Sequence, residues 1–186
     1  MTSKRRLSSN SRASILDAAQ RVALREGSSH LTIDAVAKES GLSKGGVLYH
    51  FPSKEALLVA MVERLAAVLT GIVEERRPVH AHRRCPTLHA LLDASASMDW
   101  LHSQAPSALL AAAAEKPELL APIRGELLQY RACMEAETND PDLAMLLWAS
   151  ADGLMLQLLL GVAPFAADRQ QELVARLHDL ADAVVP

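Results

Sequence analysis

LTIDAVAKESGLSKGGVLYHFPSKEALL, running from Leu31 to Leu58, decides how the first part of this chain folds. Ala37 and Gly41 lie four residues apart, and apolar Leu42 follows. That spacing suits two helices crossing through a tight turn. A small side chain at 37 lets the second helix come close, a glycine accepts positive φ, and Leu42 plugs a small core. Thr32, Ser43 and Ser53 are placed to cap successive helices, because a hydroxyl can accept from the unpaired amides of a first turn. Asp34 sits in a first turn, where the helix dipole favours an acid. The reading is a short helix from Thr32 to Gly41, a third helix from Ser43 to about Phe51, and a fourth starting at Ser53.

Upstream, Ile15, Ala19 and Val22 share one face of a first helix, expected to start near Ser9 to Ser11 and to stop at Gly27. Three short helices then make a compact head from which the third projects. Its first turn offers Ser43, Lys44, Gly45 and Gly46, which are small, or long and flexible. Such a turn can enter a major groove with its N-terminal residues at base edges. Tyr49, His50 and Lys54 can donate hydrogen bonds to phosphates, as can the backbone amides at the Ser53 helix start. Lys4, Arg5, Arg6 and Arg12 add a basic arm.

Charge patterning agrees. Residues 1–54 hold nine Lys/Arg against four Asp/Glu, a net of +5, whereas residues 55–186 hold ten against eighteen, a net of −8. A basic head on an acidic body places a polyanion at the head. Half of the 186 residues are hydrophobic but only 3% are aromatic, which favours packed helices over a sandwich or barrel. Two cysteines, Cys85 and Cys133, cannot form a disulfide framework and fit a reducing cytoplasm. Met1 to Asn10 is polar and basic, so no secretory signal is expected.

Helical spacing continues downstream. The fourth helix carries the stripe Leu57, Met61, Leu65, Val68 and Ile72, and Arg76 to Pro86 reads as a solvated connection. A fifth helix follows Thr87, a short one spans about Pro106 to Ala114, and a turn at Pro117 precedes a helix from about Pro122. Asp140-Pro141-Asp142 is a helix start that opens a segment running to about Gly161, apolar nearly all round. A last helix covers roughly Ala167 to Val185, with no strand candidate anywhere. The domain division expected is a helix-turn-helix head over 1–54 and a helical body over 55–186, giving an all-α fold.

Three stretches, ILDAAQRVALREG (Ile15 to Gly27), LTIDAVAKESGLSKGG (Leu31 to Gly46) and YHFPSKEALL (Tyr49 to Leu58), resemble the DNA-binding head of the TetR family of bacterial transcriptional regulators. The resemblance implies an all-helical homodimer whose C-terminal domain binds a small effector and releases double-stranded operator DNA. It implies phosphate contacts at Thr32, Tyr49, His50 and Lys54, and base reading at Ser43, Lys44, Gly45 and Gly46. Many members carry two aromatics before His-Phe. This chain has Leu48 and then Tyr49, so the resemblance does not carry over one such phosphate or base contact. Phe51 is expected in the core.

Asp152-Gly153-Leu154 and the final amphipathic helix resemble the family's dimerising pair. A helix apolar all round must be buried on two sides. Leu147, Leu154 and Leu158 are assigned to the partner side, with Val174, Leu177 and Ala181 from the last helix. Met98, Trp100, Met134, Trp148 and Met155 are candidate effector walls, since methionine adapts and tryptophan offers a flat face. Asp152 and the other acids of the body suit a lipophilic cation. The resemblance to members that control multidrug efflux points to an efflux transporter as the regulated gene. A metabolic operon, or an activator with a non-cationic effector, is the alternative.

Other classes fit less well. A membrane span over Leu143 to Phe165 would place Asp152 at its centre, at a cost of roughly 2.5–3.5 kcal/mol. His80, His82, Cys85 and His89 are metal-capable donors, but their spacing matches no site template and four arginines stand nearby, so no metal or cofactor is expected. There is no phosphate loop, nucleophile elbow or His-Glu-x-x-His, so no enzyme is expected.

Overall fold

The computed structural model describes residues 2–27, 30–97 and 112–184. Their helices are α1 (Thr2–Glu26), α2 (Ile33–Ser40), α3 (Lys44–His50), α4 (Lys54–Arg76), α5 (Pro86–Ala96), α6 (Ala121–Glu137), α7 (Pro141–Leu159) and α8 (Ala167–Val184), and residues 112–115 are helical as well. A 3-10 turn, Pro117–Leu120, precedes α6. No strand occurs among the described residues.

Two compact units form: residues 1–66 with 104–123, and residues 67–103 with 124–186. The divide falls midway along α4, further on than the expected 54/55. Leu57, Leu58 and Met61 of α4 are buried in the head core, so the first half of that helix belongs to the head.

The first unit is built from local signals. Ile15, Ala19 and Val22 of α1 are fully buried, with Leu31, Val36, Val47 and Phe51 against them. α1 begins at Thr2, earlier than Ser9 to Ser11. Ser and Asn cost a helix interior only tenths of a kcal/mol each, and the Lys and Arg before them are good helix formers. Thr32 accepts from the Ala35 amide at 3.1 Å, and Gly41 closes α2 with φ of 72°. Leu42 then returns its amide to the Ala37 carbonyl at 3.2 Å and packs against the core. This is the left-handed helix end that only glycine adopts without strain.

The second unit packs α5, α6, α7 and α8 around Leu88, Leu91, Leu92, Met134, Ala144, Trp148 and Val174. Asp140 caps α7, accepting from the Leu143 amide at 3.0 Å with Pro141 next. Glu137 closes the start of α5, accepting from the Thr87 amide at 2.8 Å and the Thr87 hydroxyl at 2.9 Å.

A cluster of imidazoles ties α5, α8 and the connection before α5. His89 and His178 stack with centroids 5.0 Å apart and planes 9° apart. Their Nδ1 atoms are 2.7 Å apart. Asp93 bridges His80, at 2.8 Å, and His178, at 3.0 Å. Two hydrogen bonds hold the Asp93 carboxyl below the usual carboxylate range, against the opposing effect of burial.

α4 and α7 are each long and apolar enough to cross a membrane by length and composition. Leu57, Leu58 and Met61 of α4 and Ala144, Leu147, Trp148 and Ala151 of α7 are buried in the two cores instead. Asp152 of α7 accepts from the Ser95 hydroxyl at 2.7 Å. Burial raises its pKa, while hydrogen bonds from Ser95 and Trp148 pull the other way.

Candidate nucleic-acid interface

α3 is a seven-residue helix with one inward face. Val47, and Phe51 just past its end, are buried in the head core. Ser43, Lys44, Gly45, Leu48 and Tyr49 are consequently turned outward and exposed. The Ser43 hydroxyl accepts from the Gly46 amide at 3.1 Å, which fixes the first turn. Tyr49 is 82% exposed, an unusual placement for an aromatic ring in a chain with few of them. Its ring meets His50 edge-on at 5.1 Å.

The glycines of this turn are not required by the fold. A Cβ at Gly45 would come no closer than 4.0 Å to the Ser43 hydroxyl, and one at Gly46 no closer than 3.4 Å. Neither glycine has positive φ. Glycine in a helix costs up to about 1 kcal/mol relative to alanine. A turn that accepts this cost twice is open for close approach from outside. Gly45→Ala and Gly46→Ala are therefore expected to raise the melting temperature and to weaken binding to duplex DNA. Either variant losing stability, or binding DNA as before, would contradict this reading.

α4 starts beside α3. Ser53 accepts from the Ala56 amide at 3.1 Å. Thr32, Ser43, Lys44, Gly45, Tyr49 and Ser53 are exposed, Gly46, His50 and Lys54 partly so, and all lie along α3 and the starts of α2 and α4. Each lysine has an acidic neighbour. Lys44 lies 2.9 Å from Asp34, with both side chains mostly exposed, and Lys54 lies 2.6 Å from Glu115. No local pattern in the sequence marks Glu115 as a partner of Lys54, sixty-one residues away.

The residues assigned to an effector are dispersed. Met98 and Trp100 lie outside the described residues. Met134 and Trp148 are buried in the core of the second unit, Asp152 is engaged with Ser95, and Met155 is half-buried. None of these four lines a cavity of about 550 Å³ in that unit, whose walls include Thr70 and Glu74 of α4, Arg77 just after it, Thr87 of α5, and Glu126, Tyr130 and Cys133 of α6. Thr70 donates to Glu126 at 3.0 Å and accepts from the Tyr130 hydroxyl at 3.3 Å. Burial raises the Tyr130 pKa.

The side chains expected to face a partner are mostly turned toward this chain's own core. Leu147, Val174 and Ala181 are buried in the chain's own core, and Leu154 and Leu177 pack against it. Leu158 is half-buried. On α7, just after it and on α8, the large apolar side chains left exposed are Leu146, Leu156, Leu160, Val162 and Leu180. A helix apolar all round does not show in the sequence which face is outward.

A family profile described as bacterial regulatory proteins, tetR family, matches residues 15–61. Another, described as tetracyclin repressor-like, C-terminal domain, matches residues 86–182. Among solved structures, the multidrug binding protein EbrR complexed with malachite green is 26% identical, with a TM-score of 0.68 over 94% of this chain and 98% of that one. EbrR complexed with ethidium is 28% identical, with a TM-score of 0.56 over 90% and 97%. A member of the TetR family from Streptomyces coelicolor A3 is 27% identical, with a TM-score of 0.69 over 95% and 98%. No curated protein matches the sequence.

Proposed function

The chain belongs to the TetR family of bacterial regulators, and on that premise we propose that it is a homodimeric repressor that binds a palindromic operator and is released by a small lipophilic effector. Regulators of this family bind DNA and small-molecule effectors, act as dimers and are not enzymes. The observation that carries the DNA reading is the first turn of α3, capped by Ser43 and opened by two glycines that the fold does not need. Lys44 with Ser43, Gly45 and Gly46 reads base edges, while Thr32, Tyr49, His50 and Lys54 hold phosphates. Such a regulator works in the cytoplasm.

The partner-facing surface is the outer side of α7, with Leu146, Leu156 and Leu160 around Ser150 and Gly153, together with Leu180 of α8. A Cβ at Gly153 would meet nothing within 4 Å, which leaves room for a close approach.

The effector enters the cavity between α4, α5 and α6. Glu74 and Glu126 supply negative charge and Tyr130 an aromatic wall, a combination that suits an organic cation. Solved structures of the multidrug binding protein EbrR with malachite green and ethidium support that class, and an efflux transporter is the regulated gene this reading proposes. The test is titration of ethidium and of quaternary ammonium compounds against the protein–DNA complex. Release is expected at micromolar dye, as is roughly tenfold weaker release in Glu126→Gln. If neutral or anionic metabolites release DNA and the dyes do not, the cation reading is wrong and a metabolic operon becomes the better assignment.

A further inference from the structure

Lys54 and its neighbour Glu55 are held by two adjacent residues from a distant part of the sequence. Lys54 Nζ lies 2.6 Å from Glu115, and Lys116 pairs with Glu55. The segment that carries Glu115 and Lys116 is anchored on the head. Ala112 is fully buried and Leu119 packs against the head core. Backbone hydrogen bonds run from the Lys116 amide to Ala112 and from the Leu119 amide to Lys116, each 3.0 Å long. Glu115 is therefore presented to Lys54 by folded backbone.

The two side chains are 29% and 37% exposed, against 59% and 70% for Lys44 and Asp34, so water screens the Lys54–Glu115 pair less. Lys54 draws the Glu115 pKa below the usual carboxylate range, which keeps that carboxylate charged near neutrality. A phosphate approaching Lys54 meets an ammonium whose charge is already matched, and a fixed negative charge beside it.

We propose that Glu115 is a positioning residue that competes with DNA phosphate for Lys54. The anchored segment at 112–120 then sets how much of the head's charge a duplex can use. This rests on the reading of Lys54 as a phosphate contact. Breaking the pair costs the fold little, because ion pairs near the surface contribute modestly.

The experiment measures binding of a random-sequence duplex across a range of salt for the full-length protein, Glu115→Gln, Lys54→Met and the double variant. Glu115→Gln should bind roughly three- to tenfold tighter near 0.1 M salt, and its log–log salt slope should steepen by about one. In the Lys54→Met background the same change should add nothing. If Lys54→Met binds as well as the parent, Lys54 is not a phosphate contact and the premise falls. If Lys54→Met weakens binding but Glu115→Gln does not strengthen it, the premise stands and the competition is refuted. An equal gain from Glu115→Gln with and without Lys54 also refutes it, because Glu115 would then act through the general field.

Discussion

Acidification from pH 6.5 to about 5 should destabilise the second unit by about 2 kcal/mol, with His89 as the main origin. His89 is fully buried on α5. Its charged form is opposed first by burial and then by His178, Arg83 and His80, while Asp182 favours it, and its pKa is pushed down to about 4. The geometry explains the sign. The Nδ1 atoms of His89 and His178 face each other at 2.7 Å, so a proton on one suits the contact and a proton on both turns it into repulsion. Asp182 Oδ1 lies 3.3 Å from His89 Nε2 but is shared with the cation of Arg83, whose NH1 is 3.0 Å from Asp182 Oδ2.

In the unfolded chain the same imidazole titrates near 6.5. The folded state therefore binds fewer protons between pH 6.5 and 4. Stability is complete above the unfolded value and is lost as pH falls toward the folded one. His89→Gln can still meet His178 with an amide but does not titrate. Thermal melting of both proteins at pH 6.5 and 5 checks the assignment. A steep loss is expected for the parent and a shallow one for the variant; equal losses would place the proton elsewhere.

The two lysines at the interface should behave differently when removed. Lys44 opens α3, and its exposed ion pair with Asp34 leaves its ammonium accessible. On the proposed reading, in which α3 enters a major groove and Lys44 meets base edges, Lys44→Ala should cost about 1–3 kcal/mol of discrimination at one base position. Lys54 opens α4, beyond the end of α3. Lys54→Ala should weaken selected and random duplexes alike, by a few fold and with a small flattening of the salt slope in the parent, where Glu115 holds its charge, and by roughly tenfold with a flattening of about one in the Glu115→Gln background. Binding measured on both duplexes over a salt series separates the two outcomes. Equal effects of the two variants on selectivity would show that the roles have been assigned wrongly.

Features set by a few adjacent residues could be read from the sequence. Thr32, Ser43 and Asp140 cap helices as their spacing indicates, and Gly41 turns the chain where a positive φ is needed. Pro117 opens a separate 3-10 turn ahead of α6. Features that depend on which face of a helix turns inward could not. On α7, Leu146 is exposed and Leu147 is buried, one residue and about 100° apart, and an all-round apolar pattern does not choose between them. The meeting of His89 with His178 and that of Lys54 with Glu115 join residues 89 and 61 positions apart. The cavity walls likewise come from three helices and the connection after α4, and their mixed polar and apolar composition carries no periodic signal.

The account stands or falls on whether α3 reads duplex DNA in pairs. Purified protein mixed at physiological ionic strength with a pool of random duplexes, followed by sequencing of the bound fraction, tests this directly. The bound sequences should share an inverted repeat, with half-site centres about 34–36 Å or a small multiple apart, and the complex should hold an even number of subunits. A bound fraction no different from the starting pool, or a protein that remains a single subunit on DNA, would contradict it.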